Sequence, residues 1–475
     1  MALLTETPLR VVDAAPTAVA RAARGARVPG WWRDAVAAAT WTSMLVVVAL
    51  WIAGRGVQDL ATPADAVTSL GRLTGLISAN LLLVQVLLMA RVPVVERTYG
   101  QDELARRHRL VGLWSFNLML AHLVLISVGY ALSVGLNPFA EFWELVVDYP
   151  GMLLALAGTL LLVLVVATSV RRARRRLRYE SWHLLHLYAY LGVGLAIPHM
   201  LWTGQDFVSS PAATAYWWTL WGTAAGSILV WRVGLPLVRS LRHDLRVAEV
   251  TQESPDVTTV LIRGRRLDRL PAAAGQFFTW RFLTGSGWTR GHPYSLSATP
   301  DGEGLRITVK DLGDGSRALA TVRPGTRVLI EGPYGRLHPG VRTRQKVTLL
   351  ASGIGISPMR ALLEGLPQHP GDVTLIYRAR TEADLVLRAE IEQLAQTRGA
   401  RVFYVLGRRV RGRHTWLPES AAALSDAEAL RRLVPDIAEQ DVYLCGATEW
   451  MDAAERAARE CDVPASRIHS ERFSW

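Results

Sequence analysis

Six apolar stretches between residues 37 and 233 decide most of what this chain can fold into. They run Ala37–Ala53, Ala66–Ala90, Leu104–Leu132, Met152–Val170, Ser181–Leu201 and Ala212–Val233. Each approaches the roughly 20 residues an α-helix needs to cross a hydrocarbon core. In lipid every backbone polar group must bond within the protein, so stretches of this composition predict a six-helix transmembrane bundle.

Charge sets the expected orientation. The net charge is +12, an excess that in a soluble chain suggests nucleic acid. Here the arginines flank the apolar stretches, so lipid headgroups are the expected contact and nucleic acid is not. Arg21, Arg24, Arg27 and Arg33 precede the first span, Arg91, Arg97, Arg106 and Arg107 follow the second, and "RRARRRLR" (171–178) follows the fourth. The third connection, "GLNPFAEFWELVVDYPG", and the fifth, "TGQDFVSSP", carry no Lys or Arg, and Arg55 is the one exception on that side. Positive-inside bias predicts a multi-pass cell-membrane protein with both termini and the soluble domains in the cytoplasm. The N-terminal arginines are spread over too many residues before an apolar run for a signal peptide. The two cysteines, Cys445 and Cys461, suggest neither a disulfide framework nor a thiolate zinc site.

The third and fifth spans carry histidines, and in this orientation they run the same way. His108 and His122 are fourteen residues apart, nearly four turns, so they share a face about 21 Å apart. His186 and His199 are thirteen apart, about 20 Å. Depths therefore match in pairs, His108 with His186 and His122 with His199. The angular match on the fifth span is poorer, and Pro198 is expected to re-aim His199. No histidine of the third span matches the height of His183, which reads as a helix-entry residue. Two imidazoles facing across a bundle can hold a haem iron from both sides. Two such haems would carry electrons through a core roughly 30 Å thick. A metal transporter can also line a path with histidines, but it usually adds carboxylates, and none lies between the paired positions. A six-helix transporter or sensor with a nucleotide-binding regulatory domain is the alternative of another class.

Beyond Trp231 the character changes. Short strands broken by Gly and Pro ("VTTVLIRG", "GQFFTWRF", "LRITVKD", "RVLIEGPYG") predict a small antiparallel β-barrel. From Lys346 strands alternate with helices ("KVTLLASG", "DVTLIYRAR", a helix over Arg388–Gln396, "RVFYVLG", "DVYLCGA"), which predicts an α/β unit with a parallel sheet. The expected domains are a tail (1–36), a transmembrane bundle (37–234), a β-barrel (242–342) and an α/β domain (343–475). In "LLASGIGISPMRALL", Gly353 and Gly355 let backbone approach a phosphate at a helix N-terminus, and Pro358 completes G-x-G-x-x-P. In "VKDLGDGSRAL", Gly313, Gly315 and Ser316 open a second turn fit for a pyrophosphate, with Lys310 as a positive charge. Arg378, Arg380, Arg408 and Arg409 follow the next two strands. Arginines there can pair with a 2′-phosphate, which favours NADPH and leaves NADH possible.

The H-x13-H of the third span, Trp182 to His186, and His199 resemble the ferric reductase and NADPH oxidase superfamily, and the resemblance covers almost the whole chain. It implies two b-type haems on His108, His122, His186 and His199, with no open coordination site, so that the acceptor takes electrons at the haem edge. "RGHPYSLSA" matches the superfamily's flavin motif and implies that His292, Pro293, Tyr294 and Ser295 line the ring of FAD, with Ser295 near its N5. "YLCGA" resembles the Cys-Gly-Pro loop beside the nicotinamide, through Cys445 and Gly446, with Ala447 replacing proline. Phe473 matches the terminal aromatic that stacks on the flavin, and Trp475 is its rival. Arg72, in the second span, resembles the arginine that oxidases place by the oxygen site, whereas snorkelling is the plain alternative. Ile126 stands where those oxidases often carry a histidine. The expected activity passes electrons from cytosolic NADPH through FAD and the haems to an outer acceptor: oxygen, giving superoxide, or a ferric chelate. No calcium loop or obligatory protein partner is expected.

Overall fold

The computed structural model describes residues 31–174, 179–208, 210–284 and 290–472. Two compact units emerge, a membrane-type bundle and a soluble unit beginning at Val233.

Among the described residues, six helices are long and apolar enough to cross a membrane. They are α1 (Trp31–Ala53), α2 (Pro63–Met89), α3 (Gln101–Val134), α4 (Met152–Ser169), α5 (Tyr179–Trp202) and α6 (Pro211–Ser227), the last running on as helix to His243. The expected spans hold to within a few residues, and α1 begins six residues earlier. Two of the six, and a short helix at Pro138–Asp148, start by one local device. Thr62, Asn137 and Ser210 cap their helices through side-chain oxygens, each followed by a proline at the first position. The cap satisfies an orphan N–H, and proline has none to lose there. Large apolar residues point outward, Trp41 at 71% exposure and Leu45 at 67% among them. That is the surface lipid covers. Inside, small residues bring backbones together. A Cβ on Gly158 would lie 2.5 Å from the Gly192 carbonyl oxygen, so α4 and α5 meet at glycines. Ser78 and Ser115 exchange hydroxyl-to-carbonyl hydrogen bonds of 2.7 and 2.9 Å across α2 and α3.

The soluble unit holds two domains. The first contains strands β1 (Arg246–Ser254), β2 (Val257–Arg263), β3 (Phe277–Phe282), β4 (His292–Ser295), β5 (Gly304–Lys310) and β6 (Val328–Tyr334). They form two antiparallel sheets, β1-β2-β5 and β4-β3-β6. Single bridges join the sheets, Leu296 to Ile307 at one seam and Arg246 to Arg327 at the other. Phe278, Trp280, Ile262 and Ile307 fill the space between them at 0% exposure, each fully buried side chain contributing about 1.5–3 kcal/mol. The flavin-type motif, which is absent from the strands expected from sequence, is strand β4. Pro293 sits in it because β4 is an edge of its sheet, where a missing N–H costs no ladder bond.

The second domain is a five-stranded parallel sheet built from β7 (Val347–Ser352), β8 (Val373–Ala379), β9 (Arg401–Leu406), β10 (Asp441–Cys445) and β11 (Ile468–Glu471). Its order is β11-β10-β7-β8-β9. The chain grows outward from β7 to β9, then returns to the other side of β7. That reversal makes β7/β10 the switch point, where α/β sheets bind ligands beyond their carboxyl ends.

Candidate functional site

The four expected histidines meet in two pairs. The rings of His108 and His186 are 6.0 Å apart between centroids, and those of His122 and His199 are 6.4 Å apart. An imidazole nitrogen bonds a metal at about 2.0–2.1 Å. Adding the distance from nitrogen to ring centre on both sides, one iron between two imidazoles requires a centroid spacing of about 6 Å. Both pairs meet that requirement, including the one on which the thirteen-residue spacing looked unfavourable. Pro198 lies inside α5 directly before His199.

The second test is the other ring nitrogen. A ligating histidine normally uses its remaining nitrogen to fix its orientation. His122 Nδ1 is 2.8 Å from the Gly71 carbonyl oxygen and His108 Nδ1 is 3.2 Å from that of Gln85. His199 Nδ1 is 2.8 Å from Thr203 Oγ1 and His186 Nδ1 is 3.3 Å from Ser169 Oγ. All four rings are held through Nδ1, which leaves Nε2 for a metal. Helix α2 makes room for this: a Cβ on Gly75 would lie 2.5 Å from His122 Nδ1. Gly75→Val is expected to displace the His122 ring and, where the two pairs each hold a haem, to remove one of two haem spectral components while the His108 side is retained. Redox titration of the α bands reads this directly, and two intact components in the variant would refute it.

Arg72 is paired within the protein. Its guanidinium makes a bidentate contact with Asp206 at 2.6 and 2.8 Å and reaches Asp59 at 2.9 Å. It also donates to the Gly54 carbonyl at 3.0 Å. Ile126 packs against Gly71, where a Cβ would lie 3.1 Å from it.

In the soluble unit the flavin-motif residues gather on β4. The His292 and Tyr294 rings lie nearly parallel, 5.9 Å apart at 13°. The Gly313–Ser316 turn closes onto them, and a Cβ on Gly315 would strike the His292 ring at 2.3 Å. Ser295 Oγ is buried with no hydrogen-bond partner among the described residues. A buried hydroxyl without a partner is costly, so it fits a site whose ligand supplies one. These residues fit a flavin. The turn is tighter than expected: Ser316 Oγ accepts from the Leu312 and Gly313 N–H groups at 2.8 and 3.0 Å. The hydroxyl and those donors are thus spent within the loop. Lys310 is paired with Asp256 at 2.9 Å, and hydrogen bonding to Lys310 holds that carboxyl below its usual range.

The nucleotide candidates lie at the switch point. Gly353 has φ +54° with no other atom within 4 Å of its would-be Cβ. Gly355 leads into α7 (Ile356–Gly365), with Pro358 buried in its first turn. A Cβ on Gly355 would lie 2.2 Å from the Cys445 carbonyl oxygen, so the G-x-G-x-x-P turn and the Cys445–Gly446 turn are in direct contact. The Cys445 thiol is 3% exposed, and burial pushes its pKa well up. It stays protonated and is no nucleophile. Phe473 and Trp475 lie outside the described residues.

Arg378 does not face a nucleotide. It is 5% exposed and donates to the carbonyls of Val405 and Gly407 at 3.2 and 2.7 Å, as well as to Ala379. Burial brings its pKa down to about 10. Arg380 and Arg408 are exposed, and Arg409 pairs with Glu449 at 3.1 Å. Sequence reasoning missed the link between the two soluble domains. Glu390 accepts from Arg306 at 2.8 and 3.0 Å and forms an ion pair with Arg360 at 2.9 Å, while Thr299 N–H donates to Glu364 at 2.6 Å. Burial alone would raise the pKa of Glu390, but the bonds and charges of Arg306 and Arg360 hold it below the usual carboxylate range.

Both halves of the chain resemble known proteins. Residues 74–197 match the family of ferric reductase like transmembrane components, and residues 349–456 match the oxidoreductase NAD-binding domain. The ferredoxin reductase component of a 3-ketosteroid-9-alpha-monooxygenase from Mycolicibacterium smegmatis is 31% identical over 240 residues, covering 48% of this chain and 65% of that protein. The ferredoxin–NAD(+) reductase component of an alkene monooxygenase system from Xanthobacter autotrophicus is 30% identical, covering 49% and 70%. Among solved structures, the FAD/NAD-binding domain of a nitric oxide dioxygenase from Vibrio cholerae is 26% identical, covering 49% of this chain and 99% of that one, at a TM-score of 0.40. The chain spans about 65% of the length of the first of these relatives.

Proposed function

Since the chain belongs to the NAD(P)H-dependent, ferredoxin-reductase-like oxidoreductases, here joined to a ferric-reductase-like transmembrane component, we propose that it carries electrons across a membrane, from cytosolic NADPH to an acceptor on the far side. The observation that carries this reading is the double imidazole pairing, with all four Nδ1 atoms engaged. His108 and His186 would hold one haem and His122 and His199 a second, while His292 to Ser295 and Gly315 would hold FAD. When bound, these groups supply the change from two-electron to one-electron transfer and a one-electron relay. The protein's part is placement. Gly353 and Gly355 open a helix N-terminus to the nucleotide pyrophosphate. The Cys445–Gly446 turn packs against that helix start. Ser295 presents an unsatisfied hydroxyl to the flavin ring, and the Arg306–Glu390–Arg360 network fixes one domain against the other. Arg380 and Arg408 remain as exposed partners for a 2′-phosphate, and their presence favours NADPH. Both termini and the soluble domains would lie in the cytoplasm, consistent with the arginine distribution.

Oxygen is the acceptor that the overall resemblance favours, with superoxide as product. A specific observation supports a second reading, reduction of a metal complex. Arg72 is neutralised by Asp59 and Asp206, so it offers little positive charge to oxygen or superoxide. Anaerobic reduction by NADPH tests the path. The expected result is sharp reduced Soret and α bands from two haems per chain. Reoxidation then tells the acceptors apart, through superoxide on adding oxygen or ferrous iron on adding a ferric chelate. A purified protein without haem absorption would overturn the reading in favour of a transporter or sensor.

A further inference from the structure

A cavity of about 630 Å³ opens beside the far end of α3, between the start of α2 and the short helix Pro138–Asp148. Asp65, Glu141, Glu144 and Asp148 line it together with Tyr130 and Tyr149, and among the described residues its lining contains no Lys, Arg or His. Asp65 is engaged by the Thr62 hydroxyl at 2.7 Å. Glu141 is different: it is 6% exposed, and among the described residues its carboxylate has no hydrogen-bond or ion-pair partner. Most of the residue is buried while its carboxylate oxygens open into the cavity, so a cation entering there would meet an unpaired negative charge. Among the described residues no three His, Cys, Asp or Glu side chains converge to coordinate a metal ion. The volume is also far larger than a bare ion needs. The fitting occupant is a larger cation, attracted by the carboxylates and resting against the tyrosine rings.

Its position gives the cavity a role. Thr68 in its wall is one turn from Gly71, whose carbonyl holds His122. Tyr130 follows His122 by eight residues, about 12 Å along the helix. We propose that this cavity docks a cationic one-electron acceptor, a metal complex of net positive charge. The inference rests on the electron path proposed above and adds the class of acceptor. The acceptor metal falls by one oxidation state as the outer iron rises by one. No bond forms or breaks, and no proton moves. Anionic ferric chelates meet four carboxylates here and are disfavoured.

The experiment uses the full-length holoprotein in lipid nanodiscs and two kinds of readout. Hexaamminecobalt(III) binding is measured by calorimetry without NADPH. The rates of NADPH-driven reduction of hexaammineruthenium(III) and of ferricyanide are then compared. Wild type is expected to bind the cobalt complex and to favour the ruthenium cation over the ferricyanide anion. Glu141→Gln is expected to weaken cobalt binding about tenfold and to lower the ruthenium-to-ferricyanide ratio by a similar factor. The double variant Glu144→Gln with Asp148→Asn, both at exposed positions, should shift both readouts the same way if the Glu141 variant does not fold. Unchanged cobalt binding in these variants, or a wild-type preference for ferricyanide, overturns the proposal. Cobalt binding persists if the electron path is wrong and the cavity right. NADPH still reduces the haems if the path is right and the cavity wrong.

Discussion

Replacing His122 with Leu is expected to lower the haem content from two to one per chain and to abolish electron transfer across the bilayer. His199→Leu should do the same, because each imidazole of the pair is useless to a six-coordinate iron without the other. The size of the effect follows from geometry. Gly75 leaves no slack behind the His122 ring, and the Gly71 carbonyl at 2.8 Å fixes its tautomer. No other histidine stands within the pair to substitute, since His108 and His186 are a separate pair about 20 Å away along the helices. NADPH should still reduce the remaining haem at wild-type extent, whereas reduction of an external acceptor should fall on the order of a hundredfold or more. A pyridine haemochrome assay and a proteoliposome assay with acceptor outside measure the two quantities separately. Two haems per chain in either variant would sink the assignment of these ligands.

The membrane half was legible because lipid leaves so few choices. Composition alone fixed the six helices, and the depth of each histidine followed from counting residues. The partners of those histidines were not legible. Two of the four Nδ1 contacts are backbone carbonyls, of Gln85 and Gly71 on another helix, and a carbonyl leaves no mark on residue type. The glycines at 71 and 75 were the one available signal, a small-residue spacing of the kind that lets helices approach. The Arg72–Asp206 contact joins positions 134 residues apart, beyond any local pattern. In the soluble half, strands with strong apolar runs were found, and the weak ones were missed. β1, "RVAEVTQES", is largely exposed on both faces, and β11 is four residues long. Pro293 hid β4 from the strand pattern. Arg378 misled for a different reason: sequence places it at a strand end, where arginines meet phosphates, but its burial turns its donors to the carbonyls of β9 and the turn beyond it.

Gly355→Ala is expected to have the second large effect, and to cut the path at its entry. The added methyl would sit 2.2 Å from the Cys445 carbonyl oxygen and 2.8 Å from the Gly446 nitrogen. These are backbone atoms on β10 and its turn, so no side chain can rotate away. Either the β7–α7 turn lifts off or the Cys445–Gly446 turn retreats. Overpacking of this kind costs about 1–3 kcal/mol, and here the displaced segments are those that would face the pyrophosphate and the nicotinamide. The apparent affinity for NADPH should fall at least about tenfold, equivalent to some 1.4 kcal/mol, and the rate of haem reduction by NADPH should fall with it. Dithionite, which needs no nucleotide site, should reduce the haems of the variant as it does those of wild type. That contrast separates a lesion in the nucleotide turn from general misfolding. An unaltered KM for NADPH in Gly355→Ala would mean that the nucleotide binds away from the switch point, and the entry of electrons would have to be sought elsewhere.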